Sequence, residues 1–144
     1  MANNYLIFTD GGARGNPGPA AIGVIIKGED IGKKEYGEFI GVATNNVAEY
    51  KAVIFGLRKL KQLIGKDKAA QSTVRVNADS ELLVRQMNSE YKVKEEGIQE
   101  LFMELWNLRM DFDKIDFAHV LREENKEADR MVNYALDREE NKLL

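Results

Sequence analysis

Up to about Ala43 this chain shows only strand-type hydrophobic periodicity, and helical spacing first appears after it, which limits the folds open to the chain. Before that point, the apolar residues fall into three β-type runs: Tyr5–Thr9 (YLIFT), Ala20–Lys27 (AAIGVIIK) and Lys33–Val42 (KKEYGEFIGV). The first is β-branched and aromatic, the third has mixed polar spacing that fits one exposed face, and turn chemistry separates them. Asp10-Gly11-Gly12 closes the first run, and the loop Arg14-Gly15-Asn16-Pro17-Gly18-Pro19 holds both prolines of the chain. Gly28-Glu29-Asp30 turns the second run into the third. Consecutive strands joined by such short turns pair antiparallel.

After Ala43 helical spacing appears. Thr44-Asn45-Asn46 supplies capping side chains, and Val47, Tyr50, Ile54, Leu57 and Leu60 recur at helical spacing up to Leu63, with Gly65 as the stop. Thr73–Ala78 reads as a fourth strand ending at Asp79-Ser80, followed by a short helix from Leu82 to Met87 that Asn88 ends. Glu96–Asp111 carries Ile98, Leu101, Phe102, Leu105, Trp106 and Leu108, a wide apolar stripe. Ile115–Val120 reads as a fifth strand. Asn125 opens a last helix with Ala128, Met131, Val132, Ala135 and Leu136 facing inward, and the charged tail after Asp137 is expected to fray. Three antiparallel strands followed by strands that alternate with helices predict an α/β fold, a five-stranded mixed sheet with helices packed on it.

The 144 residues are expected to form one domain, 1–144. With 44% hydrophobic and 31% charged residues, disordered and fibrous classes are disfavoured. No apolar run reaches the roughly 18 residues of a spanning helix, and Met1–Tyr5 lacks the order of a signal peptide. Without cysteine there is no disulfide framework and no thiolate zinc site. The expectation is a cytoplasmic monomer without a membrane partner. A net charge of −3 and a pI near 5.3 leave little generic attraction for phosphate backbones. Nucleic-acid affinity then has to come from local geometry or bound metal.

Four acids stand where strands end or helices begin: Asp10, Glu49, Asp79 and Asp129. Each has an ordinary role as well. Asp-Gly is a common turn dipeptide, Asp79 can cap a helix, and Glu49 and Asp129 suit the macrodipole at a helix start. Glu49 and Asp129 nonetheless lie on or beside the inward stripes of their helices, where an ionised carboxylate is costly unless paired or metal-bound. Hard oxygen donors without cysteine favour Mg²⁺ or Mn²⁺ over zinc. Two such ions activate a water and stabilise a leaving oxygen, the chemistry of phosphodiester hydrolysis.

The segments TDGGARGNPGPAAIGV (Thr9 to Val24), ATNNVAEYKAVIFGL (Ala43 to Leu57), NADSELLVRQM (Asn77 to Met87) and HVLREENKEADRMVNYAL (His119 to Leu136) together resemble the type 1 ribonuclease H family. They follow the family's order across nearly the whole chain, and each block carries one of its four metal-binding acids. The resemblance implies the ribonuclease H-like fold with helices on both faces of the sheet. It also implies hydrolysis of the RNA strand of RNA·DNA hybrids with two Mg²⁺ ions, leaving 5′-phosphate ends. By it Asp10 would bridge the two ions, Asp129 would share the ion that activates the attacking water, and Glu49 and Asp79 would hold the ion near the leaving 3′ oxygen. Asn16, Asn45 and Asn46 match positions that touch the hybrid, where amides suit groove edges and 2′-hydroxyls. Thr44 matches a position near the DNA phosphate. Helix capping and turn formation are the plainer roles of these four.

The chain departs from the family pattern in three places. The lone histidine, His119, stands ten residues before Asp129, but the alternation Ile115, Phe117, His119 puts it at a strand end rather than in the mobile loop from which some relatives release product. Arg122, in the short loop from Leu121 to Glu124, is the other candidate for that task, since guanidinium suits phosphate. Glu81 replaces a glutamine found in many relatives. No basic helical protrusion is evident between Met87 and Glu96, where Lys92 and Lys94 alternate with Val93 and Glu95. The competing readings are a non-catalytic hybrid-binding module and a nuclease of the same fold acting on double-stranded RNA or DNA junctions.

Overall fold

A computed structural model describes residues 3–142. Met1 and Ala2, at the start of the stretch compared with a signal peptide, and the last two residues of the tail lie outside the described residues. The antiparallel start consists of β1 (Asn3–Ala13), β2 (Gly18–Gly28) and β3 (Gly32–Ala43). Then follow α1 (Asn45–Ile64), α2 (Lys66–Ala69), β4 (Ser72–Ala78), α3 (Glu81–Met87), α4 (Glu96–Arg109), β5 (Lys114–His119), a 3₁₀ turn at Arg122–Glu124 and α5 (Lys126–Lys142). The sheet order is β3-β2-β1-β4-β5, with β1·β2 and β2·β3 antiparallel and β1·β4 and β4·β5 parallel. The five-stranded mixed sheet expected from the change of period is the one found.

Local chemistry sets the boundaries of α1. Thr44 Oγ1 accepts from the Val47 amide at 3.2 Å, and the Gly65 amide closes the far end on the Lys61 carbonyl at 2.8 Å, with Gly65 at φ 88°. Ser80 caps α3 in the same way, accepting from the Leu83 amide. Helices cover both faces of the sheet. On one face α1 and α4 enclose the main core, including Ile7, Val24, Val53, Leu57, Leu60, Val76 and Leu105. On the other, Val132, Ala135 and Leu136 of α5 pack with Ala21 and Phe39. Sandwiched between these layers, β2 is buried continuously from Ala20 to Ile26 and so shows no alternation.

Small residues let the helices approach closely. Asp10 pairs with Gly23, and Gly23 with Gly37, so two glycines lie side by side across the sheet. A Cβ on Gly23 would stand 2.0 Å from the Ala128 carbonyl oxygen, and one on Gly37 would stand 2.6 Å from that of Met131. The backbone of α5 rests in this trough. Gly11 does the same for α1, since a Cβ there would lie 2.3 Å from the Ala48 carbonyl carbon and 2.5 Å from the Glu49 nitrogen.

Two expectations need correction. The tail after Asp137 does not fray within the described residues: α5 continues to Lys142, because Asp137 and Glu140 pair with Arg14 of the β1–β2 turn. The stripe on α4 is wider than the groove it fills. Leu105 is fully buried, but Trp106 stays 40% exposed, stacked on Phe102 with Arg109 over its ring.

Candidate metal centre and nucleic-acid face

The central strands carry two of the acids to one end of the sheet. In the parallel β1·β4 ladder Thr9 pairs with Ala78, so Asp10 and Asp79, the next residue on each strand, leave the ladder together. Glu49, in the second turn of α1, is brought over them by the close approach at Gly11. One oxygen from each of Asp10, Glu49 and Asp79 lies within 4.8 Å of the other two. Asp129 approaches from α5 closely enough for its carboxyl to raise that of Asp10. Of the four acids singled out in the sequence, Asp10, Glu49 and Asp79 form one cluster and Asp129 stands near Asp10.

Asn125 positions the fourth acid, a task beyond the helix start that its sequence context suggests. It is 1% exposed, donates from Nδ2 to the Thr9 carbonyl at 2.8 Å, and accepts the Asp129 amide on its own carbonyl at 3.1 Å. It therefore ties the first turn of α5 to the strand that carries Asp10. A polar residue between a charged loop and an amphipathic helix signals only a cap. The bond to Thr9 spans 116 residues and has no local signature.

The electrostatics of the cluster suit a cation. Burial, then the charge of Asp79 and the nearby Asp129 carboxyl, push the Asp10 carboxyl from its ordinary 3.8 up to about 8, against the lowering effect of the Gly11 amide. Glu49 is raised well above the usual carboxylate range by burial and by the charges of Asp10 and Asp79. Among the described residues its buried Oε2 has no hydrogen-bond partner. A buried orphan oxygen among mutually repelling carboxylates fits a hard divalent cation, which would satisfy the oxygen and favour the ionised forms together.

The amides lie beside this cluster. Asn45 and Asn16 are exposed and Asn46 is half-buried. Asn16 Oδ1 accepts the Asn45 amide at 3.0 Å, and Asn45 Oδ1 accepts the Ala13 amide at 2.9 Å, so the turn and the start of α1 are laced together. Thr44 caps α1, as its plainer role requires. Next to Asn46 a recess of about 180 Å³ is lined in part by Tyr50, Ser80, Leu83, Lys92 and Lys94. Below it Tyr50 donates to Gln86 Oε1 at 2.6 Å, and Gln86 donates to the Lys92 carbonyl at 3.2 Å, which fixes the Lys92 backbone. Residues 88–95 form no helix. Glu81 is turned to Arg85, whose Nε donates to its Oε1 at 2.8 Å.

His119 ends β5, exposed, paired with Ala78. Arg122 is exposed in the 3₁₀ turn. With the histidine on the sheet rather than in that turn, His119→Ala is expected to keep turnover within about threefold of the parent, measured at saturating Mg²⁺. A loss of several orders of magnitude would give His119 a catalytic task.

A mixed sheet of this order, helices on both faces and carboxylates from two central strands and two helices at one end of the sheet define a ribonuclease H-like protein. A protein-family profile described as "Reverse transcriptase-like" matches residues 8–135. The crystal structure of LC11-RNase H1 in complex with an RNA/DNA hybrid superposes with a TM-score of 0.86 at 46% identity, covering 93% of this chain and 97% of that one. The N-terminal RNase H domain of Rv2228c from Mycobacterium tuberculosis gives a TM-score of 0.86 at 35% identity, covering 99% of both chains. Ribonuclease HI of Halobacterium salinarum is 34% identical over 131 residues, 90% of this chain and 63% of that protein. The bifunctional protein Rv2228c is 40% identical over 134 residues, and the chain spans only 35% of its length. The chain belongs to the reverse transcriptase-like family and, within it, to the type 1 ribonucleases H.

Proposed function

We propose that the chain is a metal-dependent endonuclease that hydrolyses the RNA strand of RNA·DNA hybrids and leaves 5′-phosphate ends. The observation that carries this reading is the convergence of Asp10, Glu49 and Asp79 within 4.8 Å, with Asp129 beside Asp10. The likeness to LC11-RNase H1, crystallised with an RNA/DNA hybrid, supports the choice of substrate.

Asp10, Glu49 and Asp79 would hold one Mg²⁺ or Mn²⁺ ion, and Asp10 with Asp129 a second. Bound there, the ions supply water activation and neutralisation of charge on the leaving oxygen. The rest falls to the chain itself. Asn125 holds Asp129 against β1, and the Gly11 amide offsets part of the repulsion around Asp10 and Glu49. Asn16, Asn45 and Asn46 meet the minor groove, where 2′-hydroxyls mark RNA. Thr44 lies toward a phosphate of the DNA strand, and Arg122 or His119 assists product departure.

Cleavage of end-labelled RNA·DNA, RNA·RNA and DNA·DNA duplexes, each with Mg²⁺, Mn²⁺ or chelator, tests the reading. Metal-dependent cutting of the hybrid RNA strand alone is expected. Binding without cutting would make the chain a hybrid-binding module, and cutting of RNA duplexes or DNA junctions would widen its substrate range. Lys92 and Lys94 border the amide face, so neutralising both should raise KM and reduce the slope of log KM on log salt by about 1 for each phosphate that no longer meets a lysine. An unchanged slope would place these lysines off the substrate path.

A further inference from the structure

The β1–β2 turn is gripped from outside the sheet. Arg14 Nη1 donates to Glu140 Oε1 at 2.7 Å and Nη2 to Asp137 Oδ1 at 2.7 Å, with Asn133 Oδ1 at 3.4 Å from Nη2. Asn133, Asp137 and Glu140 lie on one side of α5 by their spacing. The Arg14 amide also closes the turn on the Pro19 carbonyl at 2.8 Å. Two residues on, Asn16 Oδ1 accepts the Asn45 amide while Asn45 Oδ1 accepts the Ala13 amide. With both oxygens engaged, each side chain has its NH₂ left as a donor suited to groove acceptors and 2′-oxygens.

We propose that Arg14 is a positioning residue for substrate: by clamping the β1–β2 turn to Asp137 and Glu140 of α5, it holds Asn16 and Asn45 in register for the minor groove. The proposal rests on the reading of those two asparagines as hybrid contacts. An isolated exposed ion pair does little. Here two carboxylates engage the planar guanidinium fork, which suits a fixed geometry far better than a lysine would. The segment it fixes also needs fixing. Gly15 sits at φ 99° beside Asn16, and without an anchor the freedom of that glycine would spread Asn16 over many orientations.

Steady-state cleavage of a hybrid by the full chain tests this. Arg14→Gln should raise KM about fivefold with kcat within about twofold, the pattern of lost binding rather than lost chemistry. Asp137→Asn with Glu140→Gln should raise KM to the same extent, because it opens the same clamp from the other side, and Arg14→Lys should fall between. If the double acid variant keeps or lowers KM while Arg14→Gln raises it, Arg14 touches a phosphate directly and the proposal fails. A lower unfolding temperature with unchanged KM would also overturn it, since the clamp would then serve the fold alone. Asn16→Ala and Asn45→Ala separate the two levels. A raised KM in these with none in Arg14→Gln refutes the clamp and keeps the asparagine reading, whereas an unchanged KM in all of them refutes both.

Discussion

Asp10→Asn is expected to abolish hybrid hydrolysis and, in chelator at pH 8, to make the protein more stable than its parent. The first effect follows from position. Asp10 is the acid common to the whole cluster, within 4.8 Å of Glu49 and Asp79 and beside Asp129. A carboxamide there removes a charge from both proposed ion sites, and turnover should fall by at least about a thousandfold. Retained Mg²⁺-dependent cleavage would sink the nuclease assignment. The second effect follows from the raised carboxyl. In the folded protein Asp10 titrates at about 8 against an ordinary 3.8, so the folded state binds more protons than the unfolded one between those values. Stability from this group is fully present below the lower value and is lost as pH rises through the upper one. Glu49 shifts in the same direction. Asparagine is neutral throughout and escapes the loss, so the variant should unfold about 4 °C or more above the parent at pH 8 in chelator, with the gap closing toward pH 5. Added Mg²⁺ should raise the parent more than the variant, because an ion bound only by the folded state stabilises it by mass action. A parent whose chelated melting temperature is flat from pH 5 to pH 8 would contradict the repulsion.

That the acids would meet was legible because each lies at a junction whose local chemistry is strong. Thr44 and Gly65 bound α1 and alternating valines define β4, but the turn expected at Asp10-Gly11-Gly12 is not found: β1 continues to Ala13 paired with β2, and only its parallel pairing with β4 stops at Thr9, which frees the Asp10 carboxylate on that side. What the sequence does not carry is register. Nothing local places Gly23 opposite Asp10 and Gly37 beyond it, although a glycine inside an apolar strand does point to a close backbone approach. Long-range polar ties were equally hidden. The Arg14 clamp spans more than a hundred residues, and its absence from local pattern is why α5 reads as fraying after Asp137. Trp106 misleads for another reason. Periodicity reports which residues share a helix face, while the width of the groove decides how many of them are covered.

Gly11→Ala is expected to damage both fold and site, and comparison with Gly23→Ala separates two of the helices that build the cluster. The new methyl at position 11 would stand 2.3 Å from the Ala48 carbonyl carbon, 2.4 Å from its oxygen and 2.5 Å from the Glu49 nitrogen. All three are backbone atoms, so no rotamer change relieves the clash and α1 has to move off β1. Overpacking of this kind costs about 3 kcal/mol, which lowers the unfolding temperature by about 10 °C in a domain of this size. Any displacement of α1 carries Glu49 away from Asp10 and Asp79, so kcat should fall even in the molecules that stay folded, and a higher metal concentration should recover part of it. At Gly23 the obstacle is the Ala128 carbonyl oxygen, 2.0 Å from the added methyl, with the Val132 nitrogen at 3.0 Å. That change lifts α5 instead, moving Asp129 and straining the Asn125 bond to Thr9 while Glu49 stays in place. Both variants should therefore lose stability to a similar degree, with metal dependence shifted through Glu49 in one and through Asp129 in the other. Thermal melts with titrations of cleavage against Mg²⁺ read both effects. A Gly11→Ala protein with parental melting temperature and parental metal dependence would show that the contact between β1 and α1 is looser than 2.3 Å implies.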